Sequence, residues 1–291
     1  MAADRPASAT GSAASPSGRS EAFGRELELA LDLALRAGRV QMDRYEHLED
    51  IQAKGPRDVV TEVDHLCEDL VMRAVQAAYP ADAFYAEEIG EVAQIGRTGS
   101  GRVWVVDPLD GTINYANGIP FFCVSIALVA DGRPVVGVVH DPARGETFSA
   151  SVDGPPLLNG RPVSVADKER MEDMVASVAI GGRGTVRRRR HAIGSMRANR
   201  SMGSASLTLA YVACGRFDLY AQGTGLSAWD VAAAGLIAER AGATVTNMEG
   251  QPWFDLGYPA TKWSCLAASP RHHAAMLEML AGRSEPGAPG G

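Results

Sequence analysis

The chain has 291 residues, 46% hydrophobic and 22% charged, a balance that excludes a disordered, collagen-like or disulfide-scaffold protein. Its 28 Lys and Arg stand against 35 Asp and Glu, for a formal net charge of −7. An acidic balance argues against nucleic acid as the main partner and suits a protein that gathers carboxylates around cations. Cys67, Cys123, Cys214 and Cys265 form no CxxC pair and read as reduced, mostly buried thiols of a cytoplasmic protein.

Residues 1–20, rich in Ala, Ser, Gly and Pro, read as an unstructured tail without the apolar stretch of a secretory signal. Phe23, Leu27, Leu31, Ala34 and Val40 are spaced as on an amphipathic helix over residues 21–45. DVVTEVD, residues 58–64, leads into a second helix that Pro80 stops, with Thr61 and Asp64 at capping-box spacing. Short strands are expected at 83–86 and 103–106, and a longer β region over 121–151 with turns at Asp131-Gly132 and Asp141-Pro142. The apolar run at 121–130 is too short for a bilayer, which needs about 20 residues, so no membrane segment is expected.

The turn-rich PPLLNGRPVS, residues 155–164, reads as a seam. It would divide an α+β subdomain (21–160), carrying most metal ligands, from an α/β subdomain (161–282), with a second tail at 283–291. In the second half, strands are expected at 174–180, 217–221, 243–247 and 264–268, and helices at 204–214, 229–241 and 270–280. His272 and His273, on the closing helix, read as surface residues.

Four acidic clusters carry the chemistry: Asp64, the pair Glu87 and Glu88, the pair Asp107 and Asp110 in WVVDPLDGT, and Asp230. Asp107 follows an apolar strand, and Pro108, lacking an N–H, is expected to stop the ladder there. A tight turn would return Asp110 beside it, with Gly111 allowing close approach and Thr112 adding a hydroxyl. Two carboxylates on one turn repel unless protonated or sharing a cation. Hard divalent ions such as Mg²⁺ prefer oxygen ligands, to which the Leu109 carbonyl would add one. Paired ions about 3.5–4 Å apart suit in-line phosphoryl displacement. Each cluster has a local alternative: a turn at Asp110-Gly111, capping boxes at Asp64 and at Ser227 with Asp230, and solvated charges at Glu87 and Glu88. Their joint occurrence favours a metal-dependent phosphatase.

DPLDGTINYANGIPFFCVSIALV resembles a signature of the inositol monophosphatase family, within the lithium-sensitive, magnesium-dependent phosphatases, and AWDVAAAGLIAERAGATVT resembles its second signature. The order DVVTEVD, AEE, DPLDGT, WDVAAAG is the family's order, and the likeness spans residues 22–280. The resemblance implies a layered α-β-α-β-α sandwich of the inositol monophosphatase and fructose-1,6-bisphosphatase type, a homodimer, and hydrolysis by direct attack of a Mg²⁺-activated water. Two to three Mg²⁺ would be held by Glu87, Asp107, the Leu109 carbonyl, Asp110 and Asp230. Asp64 and Thr112 would activate the water, the amides of Gly111 and Thr112 would receive phosphate, and Glu88 and Lys54 would stand behind the ligands. Gly203, Ser204, Ala205 and Gln222 would face the substrate, together with Asp110 and Asp230.

Two departures bear on the substrate. Ala86 stands where the family commonly has Gly before the two glutamates, and Ala221 or Gln222 stands where inositol-specific members have a glutamate. Inositol 1-phosphate is the first expectation, followed by histidinol phosphate, fructose 1,6-bisphosphate and 3′-phosphoadenosine 5′-phosphate. A regulatory protein binding RNA or the transcription machinery is the alternative outside enzymes. Its sole support is the run Arg187, Arg188, Arg189 and Arg190, which otherwise reads as a solvated face.

Overall fold

The computed structural model describes residues 22–47, 51–55, 58–89, 101–179 and 186–281; both expected tails lie outside them. The first helix, α1 (Gly24–Arg44), turns Ala30, Leu33, Ala34 and Ala37 inward; of the residues expected to face the core only Ala34 is fully buried, while Phe23, Leu27, Leu31 and Val40 flank it half-buried. A short hairpin, β1 (Ile51–Gly55) and β2 (Asp58–Thr61), leads into α2 (Glu62–Ala78). Thr61 and Asp64 form the expected capping box at its start.

The central sheet then accumulates from β3 (Ala83–Ala86), β4 (Arg102–Asp110), β5 (Cys123–Ala130), β6 (Arg133–Asp141) and β7 (Glu146–Ser151), with α3 (Thr112–Ala116) between β4 and β5. Two-residue strands β8 (Leu157–Leu158) and β9 (Arg161–Pro162) complete it as seven strands in sequence order. Pairing is antiparallel apart from β3 with β4, which run parallel. The turn-rich seam thus carries the last two strands of this sheet.

A second sheet has the order β11-β10-β12-β14-β13. Its strands are β10 (Val175–Ala179), β11 (Ala198–Asn199), β12 (Leu219–Leu226), β13 (Thr244–Thr246) and β14 (Trp263–Ala268). They alternate with α4 (Val186–Gly194), α5 (Ala205–Ala213), α6 (Ala228–Arg240) and α7 (Pro270–Ala281). The strand expected at 217–221 begins two residues later and runs on to Leu226, which places Gln222 within it.

Helices α1 and α2 cover one face of the first sheet, α5 and α6 lie between the sheets, and α4 and α7 cover the far face of the second. The result is the α-β-α-β-α sandwich. Both faces of the first sheet are buried, so β4 reads as a continuous apolar run: Trp104 and Val106 pack toward α1 and α2, Val105 toward α5 and α6. α6 sits close because it is built of small residues at Ala232, Ala233 and Ala234, and because β6 has Gly137 beneath it. A Cβ at Gly137 would lie 2.6 Å from the Ala233 carbonyl oxygen, so only glycine fits there.

Two expectations are corrected. Pro108 does not end the ladder: β4 continues to Asp110 through a bulge. His272 and His273 are buried, not surface residues. His272 Nε2 lies 2.6 Å from the Lys168 carbonyl, and His273 Nε2 lies 3.0 Å from Thr246 Oγ1. Helix α7 presents these rings inward because it caps the second sheet.

Candidate active site

The site begins with an irregularity in β4. Asp107 pairs with Ser125 and Asp110 with Cys123, so two residues of β4, Pro108 and Leu109, oppose one of β5. Such a bulge bends the strand and re-aims its side chains. The Asp107 carboxylate turns back to accept the Leu109 N–H at 3.0 Å. Gly111 follows with φ 96°, where a Cβ would lie 3.0 Å from the Phe121 carbonyl oxygen.

Asp110 meets the start of α5. Its carboxylate accepts the Ser204 hydroxyl at 2.6 Å and the N–H groups of Ser206 at 2.6 Å and Ala205 at 3.2 Å. These are amides a helix leaves unpaired at its N-terminus. Asp230 arrives on the first turn of α6 and accepts the Ser227 N–H at 2.6 Å, the capping interaction its spacing predicts. Ser125 Oγ donates to the Trp229 carbonyl at 3.3 Å and Ser206 Oγ to that of Asp230 at 2.8 Å. These two bonds tie the start of α6 to β5 and α5.

Asp107, Asp110 and Asp230 each offer an oxygen within 4.8 Å of the others. Burial pushes the Asp107 carboxyl well above the usual range, and the charges of Glu87, Asp110 and Asp230 push the same way. Asp230 is raised well by burial and by Asp110, while burial raises Asp110 against its hydrogen bonds from Ser204, Ser206 and Ala205. A desolvated, all-oxygen, anionic set of this kind fits a hard divalent cation.

Asp64 stands beside this cluster with its two oxygens divided between tasks. Oδ2 accepts the Thr61 N–H at 2.8 Å and hydroxyl at 2.7 Å, while Oδ1 lies 3.2 Å from Thr112 Oγ1. Thr112 Oγ1 is also 2.9 Å from the Leu109 carbonyl, and its single proton goes to one acceptor at a time. Burial raises the Asp64 carboxyl, partly offset by the bonds from Thr61. The capping and functional readings of Asp64 are therefore compatible.

A cleft of 640 Å³ is lined by Glu87, Glu88, Asp107, Leu109, Asp110, Gly111, Thr112 and Asp230. Trp229, stacked edge-on to Tyr85 at 5.2 Å, forms one wall. The Glu88 N–H donates to buried Glu68 at 2.9 Å. A second cavity of 260 Å³ shares Asp110, Gly203, Gly225 and Asp230 with the cleft and adds Ser204, Ala205, Tyr220 and Gln222. Lys54 lies on β1, but its side chain is outside the described residues, as are those of Arg187, Arg188 and Arg189 on α4.

A sequence model of the inositol monophosphatase family matches residues 25–284. The chain belongs to the inositol monophosphatase family. It is 38% identical over 232 residues, 77% of this chain and 86% of the relative, to a protein named inositol-1-monophosphatase from Mesorhizobium japonicum. It is 37% identical over 238 residues, 78% of this chain and 87% of the relative, to one named Nus factor SuhB from Pseudomonas aeruginosa. Among solved structures, the extragenic suppressor protein suhB of Bartonella henselae matches with a TM-score of 0.81 at 33% identity, covering 88% of this chain and 98% of that one. As an inositol monophosphatase family member the chain is a phosphatase, a metal-dependent hydrolase. No helix among the described residues is long and apolar enough to cross a membrane.

Sequence reasoning missed Ser206 and Ser125, which hold the family's acidic cluster together through main-chain partners. A serine within SMGSAS or FFCVSIALV gives no local sign that its hydroxyl meets a carbonyl 24 or 104 residues away.

The cluster's electrostatics predict a cation effect that depends on pH. Native Asp107, Asp110 and Asp230 have pKa values raised above 3.8, so they keep protons that the unfolded chain releases. Without cation, their contribution to stability therefore falls as pH rises from that value. A bound cation replaces those protons, so the rise in Tm on adding Mg²⁺ should grow as pH rises from that value toward neutrality, by roughly 2–4 °C or more. Thermal unfolding with Mg²⁺ and with chelator, across that range, measures it. A shift that does not change with pH would contradict the burial of this cluster.

Proposed function

We propose that this chain hydrolyses a small phosphate monoester, in first place inositol 1-phosphate, by direct attack of water. The observation that carries the reading is the convergence of Asp107, Asp110 and Asp230 within 4.8 Å, in a cleft that also holds Thr112 with Asp64 behind it. Glu87, Asp107, the Leu109 carbonyl, Asp110 and Asp230 would hold two to three Mg²⁺. When bound, these ions neutralise phosphoryl charge and make a coordinated water more acidic.

The chain's own groups handle the proton. With the Leu109 carbonyl among the groups that would hold a cation, Asp64 Oδ1 at 3.2 Å is the acceptor that would take the Thr112 hydroxyl proton. A lone pair on Thr112 Oγ1 is then free to accept a proton from the attacking water. The raised Asp64 carboxyl is a stronger base than a solvated aspartate and suits the end of this relay. The Gly111 and Thr112 amides receive phosphate oxygens in this reading, Glu88 and Lys54 support the ligand shell, and a homodimer is the proposed assembly. Cys123, whose thiol faces Asp110 and Ser204 and is held protonated by burial, is no nucleophile.

An uncharged amide in the adjoining cavity supports a hydroxylated ring as the substrate's other half. Tyr220 OH donates to Gln222 Oε1 at 2.9 Å and Gln222 Nε2 donates to the Thr224 carbonyl at 3.4 Å, which orients an uncharged amide at its edge. Gly203, Ser204 and Ala205 line the opposite side. In a phosphate-release panel with Mg²⁺, inositol 1-phosphate should exceed histidinol phosphate, fructose 1,6-bisphosphate and 3′-phosphoadenosine 5′-phosphate by about tenfold or more in kcat/KM. Li⁺ should inhibit turnover. A higher kcat/KM for histidinol phosphate would overturn the substrate assignment and leave the reaction class standing.

A second reading, regulatory contact with RNA alongside catalysis, draws on relatives named Nus factor SuhB and on the arginine run within α4. It requires salt-dependent RNA binding that disappears when Arg187, Arg188, Arg189 and Arg190 are replaced by Ala.

A further inference from the structure

The bulge that sets Asp107 beside Asp110 creates a polar group without a ladder partner. Pro108 has no N–H to donate, and its carbonyl sits between the paired positions Asp107–Ser125 and Asp110–Cys123. A buried carbonyl needs a donor from elsewhere. That donor is Gln41 in the last turn of α1, whose Nε2 lies 2.8 Å from the Pro108 oxygen.

Gln41 is 0% exposed and shares the inward stripe of α1 with Ala34, Ala37 and Gly38. An amide is costly in such a place, and here the cost is visible: Gln41 Oε1 is buried without a hydrogen-bond partner among the described residues. A methionine or leucine of similar length would avoid that loss. What the amide provides and an apolar side chain cannot is the bond to the bulge.

A second bond joins the same two segments. The Gln41 main-chain carbonyl is one of the last-turn carbonyls that a helix leaves without an internal partner, and Tyr115 OH donates to it at 2.5 Å. Tyr115 belongs to α3, immediately after the acidic turn. The end of α1 therefore grips the chain at Pro108 and again at Tyr115. Between the grips lie the Leu109 carbonyl, Asp110, Gly111 and Thr112.

We infer that Gln41 is a positioning residue for the cation site, holding the Pro108 carbonyl so that the bulge presents Asp107, the Leu109 carbonyl and Asp110 in one geometry. The inference rests on the proposed cation-dependent reading of the cluster. Gln41 touches no substrate and no reacting atom; it acts through the main chain of the bulge.

The test is Gln41→Met, which keeps length and removes the donor, compared with the full-length wild type by calorimetric titration with Mg²⁺ alone, without substrate. Mg²⁺ affinity should weaken by about 10-fold or more, the scale of losing a group that orients a ligand. In turnover assays the Mg²⁺ concentration for half-activation should rise by the same factor, while KM for substrate at saturating Mg²⁺ stays within about twofold of wild type. An isotherm equal to wild type overturns the inference, and so does a lower Tm with an unchanged isotherm, which marks a purely structural amide. Tyr115→Phe removes the second grip and should weaken Mg²⁺ binding in the same direction; it decides the matter if Gln41→Met does not fold. If wild type takes up no Mg²⁺, the cation-dependent reading fails first, an outcome distinct from equal uptake by both proteins.

Discussion

Asp107→Asn is expected to cut turnover by about 10³-fold or more and to abolish Mg²⁺ uptake, without destabilising the cation-free protein. Asp107 is 1% exposed and feels the charges of Glu87, Asp110 and Asp230. Asparagine keeps its volume and still accepts the Leu109 N–H, but it removes a carboxyl that the desolvated, cation-free site tolerates only by keeping a proton against its neighbours' charge. In the absence of cation that removal relieves repulsion, so the chelated variant should match or exceed wild type in Tm. The paired signature, inactive yet no less stable, separates a ligand from a structural carboxylate. Wild-type turnover in Asp107→Asn, measured by phosphate release, would count decisively against the proposed site.

Thr112→Ala should separate proton handling from cation binding, with kcat falling about 10²–10³-fold while the calorimetric Mg²⁺ affinity stays within about threefold of wild type. Its hydroxyl lies between Asp64 Oδ1 at 3.2 Å and the Leu109 carbonyl at 2.9 Å and is not among the proposed ligands. Asp64 is the poorer probe of the same relay, because its other oxygen caps α2 and its loss would cost stability as well. A loss of Mg²⁺ affinity equal to the loss of kcat would contradict the role given to Thr112.

Several elements were legible because their causes are local. The strands from β4 to β7 follow apolar runs broken by turn formers, and α2 and α6 begin at capping pairs three residues apart. The hairpin β1–β2, the two-residue strands β8 and β9, the single-turn α3 and the arginine-bearing α4 have no comparable signal, since each is too short or too polar to show an apolar period. The ladder passes Pro108 because proline removes only one donor: the bulge takes up the extra residue of β4, and pairing resumes between Asp110 and Cys123. The inward rings of His272 and His273 follow from the sheet under α7, which no helical period reveals.

Taken alone, the order of residues determined the kinds of donor present and their local frames: a capping carboxylate at Asp64, another at Asp230, two aspartates around Pro108, and a family motif order that names the chemistry. These depend on neighbours three or four positions away, where the chain's own geometry leaves few choices. Tertiary structure alone decided which donors meet. Ser204 reaches Asp110 across 94 residues, and Gln41 reaches Pro108 across 67. Both contacts exist only because α1 and α5 pack on opposite faces of one sheet, and burial there turns separate carboxylates into a single desolvated cluster.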